Sequence, residues 1–404
     1  MPHANQVDSE LARGWLLLAT ATLGCGMGAS SLVYYSFGMF VVPLQQAFHW
    51  SRGEVTSTLF YASFGLVFAA PIVGTLIDRT SARAVALGAI PCFVAALYGL
   101  SRFSGHLVAF YAMFFLCTVV GTGTTPILYT RAVTGFFSQQ RGLALGITLA
   151  GPGTAAMVLP PFMAATIATH DWRHGFEMLA LFAATAFIPV LLWLIPPPPR
   201  TPEVRAVLAG MRPSHALKTR AFWTIALGFA AVSIGGSGLI VHLVPLLRDA
   251  GMDVAHAARI AALIGLGVIL GRLGIGWVID HLFAPFVAAS IFAVTAGGCA
   301  LLAYRGLDVA PLAAFLIGFS LGAEVDVLAY LTARYFGLRH YGFLYATLYA
   351  FFWIGAALGP AIAGELYDHF GNYQLALRVI VGALLLGAIA TASLPRFSPP
   401  DAPR

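Results

Sequence analysis

Long, continuous apolar segments recur along the whole chain and constrain its fold more than any other feature. A helix needs about 20 apolar residues to cross a bilayer, and each of these segments is long enough to do so. Only 9% of the 404 residues are charged, against about 25% in soluble domains, so this composition excludes a soluble enzyme, a nucleic-acid-binding protein and a disordered scaffold. We predict twelve membrane helices, at about 15–42, 54–77, 83–101, 107–131, 142–168, 175–195, 221–247, 256–280, 285–304, 310–334, 342–367 and 374–394.

The apolar runs are unbroken rather than alternating, which favours helices over an outer-membrane barrel. The first run, from Trp15 to about Val42, is longer than the apolar core of a signal peptide, so we expect it to be retained. The four cysteines lie inside apolar runs without metal-ligand spacing. We therefore expect free thiols, no metal site and no cofactor.

A basic segment separates the predicted helices into two sets of six. Residues 196–220 begin with four consecutive prolines, which end a helix, and carry five basic residues against one acid. We predict an N-terminal six-helix bundle at 1–195, a cytoplasmic linker at 196–220 and a C-terminal six-helix bundle at 221–404.

The distribution of basic residues between loops predicts the orientation. If the N-terminus is cytoplasmic, 14 of the 22 Lys and Arg residues fall on the cytoplasmic side and seven on the other side. This excess agrees with the positive-inside rule. We therefore expect both termini and the linker to be cytoplasmic.

The two halves repeat a sequence pattern. Gly74 to Arg79 (GTLIDR) ends the second predicted helix, and Gly276 to His281 (GWVIDH) ends the eighth, 202 positions later. Phe136 to Gly142 leads into the fifth helix much as Tyr335 to Gly342 leads into the eleventh. Two parallel repeats around a central cavity are typical of transporters whose halves rock against each other.

The first of these motifs resembles a known family. GTLIDRTSAR (Gly74–Arg83) is similar to the signature loop between helices two and three of the major facilitator superfamily. Three longer stretches resemble its bacterial monocarboxylate-transporter-like branch, which lies near the oxalate/formate exchangers. They are YSFGMFVVPLQQAFHWSRGEV (Tyr35–Val55), FFSQQRGLALGITLAG (Phe136–Gly151) and VHLVPLLRDAGM (Val241–Met252).

The resemblance implies the major facilitator fold, an all-α membrane protein with twelve transmembrane helices in two pseudo-symmetric six-helix bundles. It also implies a transporter rather than an enzyme, in a bacterial inner membrane. The chain departs from the family at Ser81, where Gly is usual, and at His281 and Phe283, which predict a weaker second copy of the signature. Val268 stands where animal members have an acid, so their proton mechanism does not transfer directly.

Three charged residues lie within predicted membrane helices: Arg272 in the eighth, and Glu324 and Asp326 in the tenth. A charge at mid-membrane costs about 2.5–3.5 kcal/mol on insertion scales, so these side chains face protein or water. Arg272 offers paired donors that fit a carboxylate, and the resemblance places a substrate-binding Arg on this helix. The alternative is a structural ion pair between Arg272 and one of the acids.

Glu324 and Asp326 are two positions apart, about 200° around a helix, so they cannot both face one cavity. We expect one of them to carry a coupling proton. The alternative is that one acid pairs with Arg272 and the other holds a neighbouring helix. Three tyrosines, Tyr34, Tyr35 and Tyr129, are further candidates for substrate contact. All Asn and Gln residues lie in tails, loops or helix ends, which disfavours a sugar site and favours a small, partly apolar anion.

A second group of candidates lies at the predicted cytoplasmic ends of the helices. Asp78 can accept hydrogen bonds from the N-terminus of a neighbouring helix, and from Arg131 or Arg141. Such bonds would hold the outward-facing state of a rocking transporter and break when its bundles rock. We call this group the latch; its predicted members are Gly74, Asp78, Arg79, Arg83, Arg131 and Asp280.

We therefore expect a monomeric secondary active transporter that moves small organic anions, monocarboxylates above all, by alternating access. Symport with protons and antiport by exchange are both open. Its partners are the anion, protons and membrane lipids, with no nucleic acid, and the lack of a Walker loop argues against ATP as the driving force. The main alternative is a proton-driven efflux carrier for hydrophobic or cationic compounds, with Glu324 or Asp326 binding the substrate. A receptor that binds without translocation, and a membrane enzyme, are further alternatives.

Overall fold

A computed structural model of the chain describes residues 2–50, 52–137, 139–194 and 210–397. Regular structure in these residues is helical, and they contain no β-strand. Short 3-10 turns occupy Phe37–Met39, Thr122–Thr124 and Gly306–Val309. The α-helices are α1 (Pro2–Gly26), α2 (Ala29–Ser36), α3 (Val41–Phe48), α4 (Arg52–Arg79), α5 (Ala82–Ser101), α6 (Leu107–Gly121), α7 (Pro126–Phe136), α8 (Arg141–Thr169), α9 (Trp172–Thr185), α10 (Phe187–Trp193), α11 (Pro213–Ala216), α12 (Arg220–Asp249), α13 (Val254–His281), α14 (Ala284–Arg305), α15 (Ala310–Phe336), α16 (Tyr341–Phe370) and α17 (Gln374–Ala392).

The described residues contain ten segments that are long and apolar enough to cross a membrane. An eleventh consists of Leu11–Gly26 and Ala29–Met39, which are bent by 41°. One of the ten, Ala284–Phe336, has 53 residues and would be about 80 Å long as a single helix, against about 30 Å of hydrocarbon. It consists of α14 and α15, which pack against each other and therefore make two crossings. The twelve predicted crossings are thus all present.

Three predicted helices are interrupted, and two of the breaks meet. The segment predicted at 175–195 forms α9 and α10, which are separated at Ala186. The segment predicted at 15–42 ends as α1 at Gly26 and restarts at Ala29, so the prediction of one continuous helix is wrong. The segment predicted at 107–131 is likewise interrupted between α6 and Pro126. The backbone N–H of Ala29 donates to Oγ1 of Thr124 at 3.0 Å. A Cβ at Gly28 would overlap the Thr124 carbonyl oxygen, so glycine permits this close approach.

The backbone contacts divide the chain into two compact units. The division falls between Gly210 and Met211, inside the predicted linker at 196–220, of which residues 196–209 lie outside the described residues. The first turn of α8 belongs to the second unit, and the first ten residues of α16 belong to the first. The first unit is Met1–Gln140, Ile147–Gly210 and Leu338–Ala350; the second is Arg141–Gly146, Met211–Gly337 and Phe351–Arg404.

Aromatic side chains fill much of the core of the first unit. Phe40 stacks on Phe176 with ring centroids 4.3 Å apart, and Phe110 packs against Phe114 at 4.8 Å. All four rings are buried. Aromatic pairs of this kind stabilise a core beyond the area that they bury.

Candidate functional site

Glycines bring α13 and α15 of the second unit into close contact. Both helices carry two glycines four positions apart on the facing side, a spacing that lets backbones approach closely in membranes. At each of the four, a Cβ would overlap a backbone carbonyl oxygen of the other helix. The glycine and carbonyl pairs are Gly267 with Phe315, Gly271 with Phe319, Gly318 with Ile264 and Gly322 with Val268.

This glycine contact ends at a buried ion pair. Asp326 follows Gly322 by one turn on the same face of α15, and Arg272 follows Gly271 on α13. Nη1 of Arg272 donates to Oδ1 of Asp326 at 3.1 Å. Arg272 is 6% exposed and Asp326 is fully enclosed. Of the two sequence alternatives for the acid that pairs with Arg272, the structure selects Asp326.

The ion pair leaves hydrogen-bonding capacity unused on both partners. Within the described part of the chain, Nε of Arg272 and Oδ2 of Asp326 have no hydrogen-bond partner. A guanidinium has five N–H donors and binds a carboxylate best through two parallel bonds. Arg272 therefore holds Asp326 through one contact and keeps donors for another anionic group.

Glu324 faces a different helix, as the 200° spacing predicts. Its Oε1 accepts a hydrogen bond from Oγ of Ser320, one turn earlier on α15, at 3.2 Å. The same oxygen lies beside Gly236 of α12, where an added Cβ would be 3.5 Å away. Its Oε2 has no hydrogen-bond partner in the described ranges, and the side chain is completely buried. The two acids thus have separate surroundings on opposite faces of α15.

The three predicted tyrosines lie in the first unit, in different environments. The Tyr34 hydroxyl and Oγ of Ser63 on α4 are 2.7 Å apart and share a hydrogen bond. Tyr35 is 40% exposed. Tyr129 is completely buried, with its ring and hydroxyl against Gly24 of α1. Its hydroxyl has no hydrogen-bond partner among the residues that the structure describes.

Asp78 lies at the end of α4 and binds the start of α16. Its two carboxylate oxygens accept hydrogen bonds from the backbone N–H groups of Gly342 and Phe343, both at 2.9 Å. Nε of Arg131 lies 3.5 Å from Oδ1 of Asp78. Gly74 packs directly on Gly342, whose carbonyl oxygen a Cβ at Gly74 would overlap. A carboxylate at a helix N-terminus is favourable because the free N–H groups and the helix dipole both attract it.

The second copy of the motif repeats these contacts in the second unit. Asp280 accepts hydrogen bonds from the backbone N–H groups of Gly142 at 2.8 Å and Leu143 at 3.0 Å, at the start of α8. We expected His281 and Phe283 to weaken this copy. That expectation is wrong for these two bonds, which are as short as those of the first copy.

Arg83, another predicted latch residue, contacts a different part of the first unit. Nη2 of Arg83 donates to the carbonyl oxygen of Leu191, in the last turn of α10. Arg79 is the last residue of α4 and its side chain is exposed. The structure therefore brings together Gly74, Asp78 and Arg131, forms the Asp280 group separately, and places Arg83 elsewhere.

Two kinds of residue in these sites were absent from the sequence prediction. Gly318 and Gly322 set the approach of α15 to α13, and their spacing on an apolar helix is a signal that the sequence does contain. Ser320 and Ser63 are hydrogen-bond partners of predicted site residues. Ser320 is one turn from Glu324 and is therefore detectable from spacing, whereas Ser63 requires the packing of α2 on α4.

These helices and motifs define an all-helical integral membrane protein with a repeated architecture. Residues 23–331 match the sequence profile of the Major Facilitator Superfamily. The chain belongs to this superfamily, and the predicted fold class is confirmed.

Relatives along nearly the whole chain are membrane transporters. Mouse monocarboxylate transporter 11 is 27% identical over 408 aligned residues, covering 96% of this chain and 88% of the mouse protein. The oxalate:formate antiporter of Oxalobacter formigenes is 24% identical over 421 residues and covers 99% of this chain and 96% of its own. The MFS-type transporter YcxA of Bacillus subtilis, described as uncharacterized, is 26% identical over 94% of this chain and 95% of its own.

Solved structures show the same fold at lower identity. The fucose:proton symporter FucP of E. coli superposes with a TM-score of 0.74 at 14% identity, covering 95% of this chain and 98% of FucP. The human organic anion transporter MFSD10 gives a TM-score of 0.72 at 17% identity, covering 93% and 99%. At these identities the likeness establishes the fold alone.

Proposed function

We propose that this protein is a secondary active transporter of small organic anions, monocarboxylates above all. The observation that carries the proposal is Arg272, a buried cation held by one hydrogen bond to Asp326 and with an unused Nε. The names of two relatives support it, since one is a monocarboxylate transporter and the other exchanges oxalate and formate.

The anion docks by taking the free donors of Arg272. A carboxylate fits the planar fork of a guanidinium, whose charge is permanent at physiological pH. One of these donors, on Nη1, is already hydrogen-bonded to Oδ1 of Asp326. Substrate and Asp326 therefore compete for Arg272, and one of the two buried acids carries a proton during symport. Tyr34, Tyr35 and Tyr129 remain candidates for contacts with the rest of the anion.

We propose that transport occurs by alternating access, through rocking of two bundles. In the proposed organisation, bundles at 1–195 and 221–404 are joined by a linker at 196–220, with both termini in the cytoplasm of a bacterium and the chain a monomer in its inner membrane. The latch hydrogen bonds at Asp78 and Asp280 form in one state and break in the other, with Arg131 supporting Asp78. Arg79 and Arg83 anchor the cytoplasmic helix ends.

Counterflow in proteoliposomes tests the function. Vesicles with the purified protein are loaded with one unlabelled solute and exposed to the same solute in labelled form, using lactate, oxalate, glucose and a lipophilic cation in turn. We expect at least one of the two carboxylates, lactate and oxalate, to accumulate. We expect no accumulation of glucose or of the lipophilic cation. Counterflow of the cation alone would favour the efflux carrier, and binding without counterflow would favour a receptor.

A further inference from the structure

We propose that Asp326 carries the coupling proton and Glu324 does not, so that one proton accompanies each monocarboxylate anion without net movement of charge. The inference rests on the proposed function, in which the anion docks at Arg272. It is carried by the different contacts that the two carboxyl groups make on one helix.

Asp326 is the carboxylate that an incoming anion displaces. It accepts from Nη1 of Arg272 at 3.1 Å and has no exposed surface. Two carboxylates on one guanidinium repel each other, so the bound anion weakens the hold of Arg272 on Asp326. Anion binding thereby leaves Asp326 as a buried carboxylate that has lost its cation.

A proton on Asp326 restores the balance of charge. Leaving one member of a buried ion pair uncompensated costs about 3–5 kcal/mol. When Asp326 takes a proton, one O–H bond forms and Asp326 becomes a neutral acid. The anion then replaces Asp326 as the ion-pair partner of Arg272. The group is neutral both empty and loaded. Oδ2 of Asp326, which lacks a hydrogen-bond partner among the described residues, is the free oxygen for this proton.

The surroundings of Glu324 do not change when an anion replaces Asp326. From its own helix, Ser320 donates to Oε1, and from α12 the carboxyl meets Gly236, which has no charge. On α13, the charged group that acts on Glu324 is Arg272. The charge of Arg272 is already balanced by Asp326 or by the anion. Glu324 therefore stays a neutral acid in both states, because an uncompensated charge at this depth is costly.

The geometry favours a proton over a sodium ion. Transporters bind Na⁺ with backbone carbonyl groups freed where a helix unwinds. The helices around the two acids, α12, α13 and α15, each run without a break. Pro245 removes the helical donor for the Val241 carbonyl group of α12, five positions after Gly236. The carbonyl groups beside the two acids keep their helical donors, which leaves the carboxyl oxygens to take the coupling ion.

The test compares Asp326→Asn with the matched control Glu324→Gln, two positions away on the same helix. Full-length proteins in proteoliposomes are assayed with the monocarboxylate that gives the largest wild-type counterflow, since one proton balances the charge of a monoanion. We expect the rate of uptake driven by an inward proton gradient to fall at least about tenfold in Asp326→Asn. Without a bound anion, the charge of Arg272 in this variant is uncompensated, so the transporter cannot reorient. Asp326→Asn keeps counterflow, since the bound anion neutralises Arg272. Glu324→Gln keeps both activities.

Proton-driven uptake that persists in Asp326→Asn, or is lost in Glu324→Gln alone, would overturn the assignment. If Asp326→Asn does not fold, Glu324→Gln and the wild-type protein decide. Glu324→Gln must keep proton-driven uptake, which it would lose if Glu324 carried the proton. We expect wild-type proton-driven uptake to be unchanged when a potassium gradient with valinomycin imposes a membrane potential, and uptake that follows the potential would overturn the inference. Wild-type vesicles without any carboxylate counterflow would instead refute the proposed function itself.

Discussion

Arg272 and Asp326, 54 positions apart in sequence, form a buried ion pair through a single hydrogen bond of 3.1 Å between Nη1 and Oδ1. The pair exists because glycines on α13 and α15 let the two backbones come into contact just before it. Burial makes the pair sensitive to the loss of either charge, and the two losses are not equivalent.

Asp326→Asn destabilises the protein more than Arg272→Gln does. A carboxylate left alone can neutralise itself by taking a proton, whereas the guanidinium keeps its charge at any physiological pH. We expect a cost of about 3–5 kcal/mol for Asp326→Asn and a smaller cost for Arg272→Gln and for the double variant. Thermal unfolding of the purified proteins measures this order. Added acetate should raise the Tm of Asp326→Asn more than that of wild type, because the anion replaces the missing carboxylate; equal shifts would contradict the pairing.

Gly271→Ala separates α13 from α15, whereas Gly274→Ala three positions later does not. A Cβ at Gly271 would overlap the carbonyl oxygen of Phe319, whereas one at Gly274 meets no atom within 4 Å. We expect Gly271→Ala to cost about 1–3 kcal/mol, as overpacking does, and Gly274→Ala to leave stability unchanged or slightly higher. Unfolding in denaturant checks both, and an equal loss in the two variants would refute the proposed contact.

The amino-acid pattern predicts most of this fold because hydrophobic length and proline position act locally. Most predicted helices end within a few residues of the observed ones, for example 285–304 against Ala284–Arg305, whereas α1 spans Pro2–Gly26 instead of 15–42. The break at Gly28 was missed because it depends on Thr124, 96 positions away, which binds Ala29. Apolar periodicity carries no information about such a contact.

The candidate site was predictable in its members and not in its pairing. Spacing alone shows that Glu324 and Asp326 face apart. Which acid meets Arg272 depends on the register of α15 on α13, and Gly322 sets that register one turn before Asp326. The partners of Asp78 were foreseeable as a helix N-terminus, and the sequence repeat marks Gly142 and Gly342 as equivalent.

Asp78→Asn and Asp280→Asn release different backbone amides. Asp78 binds the N–H groups of Gly342 and Phe343, and Asp280 binds those of Gly142 and Leu143. An amide side chain accepts through one oxygen and has no charge, so each variant weakens its own two bonds by about 1–2 kcal/mol. Hydrogen exchange resolved by peptide should become faster at 342–343 in the first variant and at 142–143 in the second.

Each of these two variants controls for the other, because both remove one charge from equivalent positions of the repeat. If either variant accelerated exchange equally at both sites, the effect would reflect general loosening and not loss of the named bonds. If the latch acts in transport, both variants also lower counterflow.

Tyr34→Phe and Tyr129→Phe differ in their effect on stability. The Tyr34 hydroxyl shares a hydrogen bond of 2.7 Å with Ser63, so its removal costs about 1 kcal/mol. The Tyr129 hydroxyl is buried and has no partner within the part of the chain that the structure describes, so its removal costs nothing or stabilises the fold. Thermal unfolding checks the order. Unchanged transport in Tyr129→Phe would remove this hydroxyl from the list of substrate contacts.

Direct binding of a carboxylate to purified Arg272→Gln tests whether Arg272 is the anion-binding residue. The control is Arg102→Gln, which removes an arginine whose side chain is 64% exposed and lies 3.3 Å from Glu177 at the surface. Isothermal titration calorimetry uses the carboxylate that wild type exchanges fastest. It gives the Kd of this carboxylate for wild type, Arg272→Gln and Arg102→Gln. Loss of a charge-assisted contact costs about 1.5–3 kcal/mol, so we expect the Kd to rise at least about tenfold in Arg272→Gln and to stay unchanged in Arg102→Gln. A Kd for folded Arg272→Gln equal to that of wild type would contradict the assignment of Arg272 as the anion-binding residue.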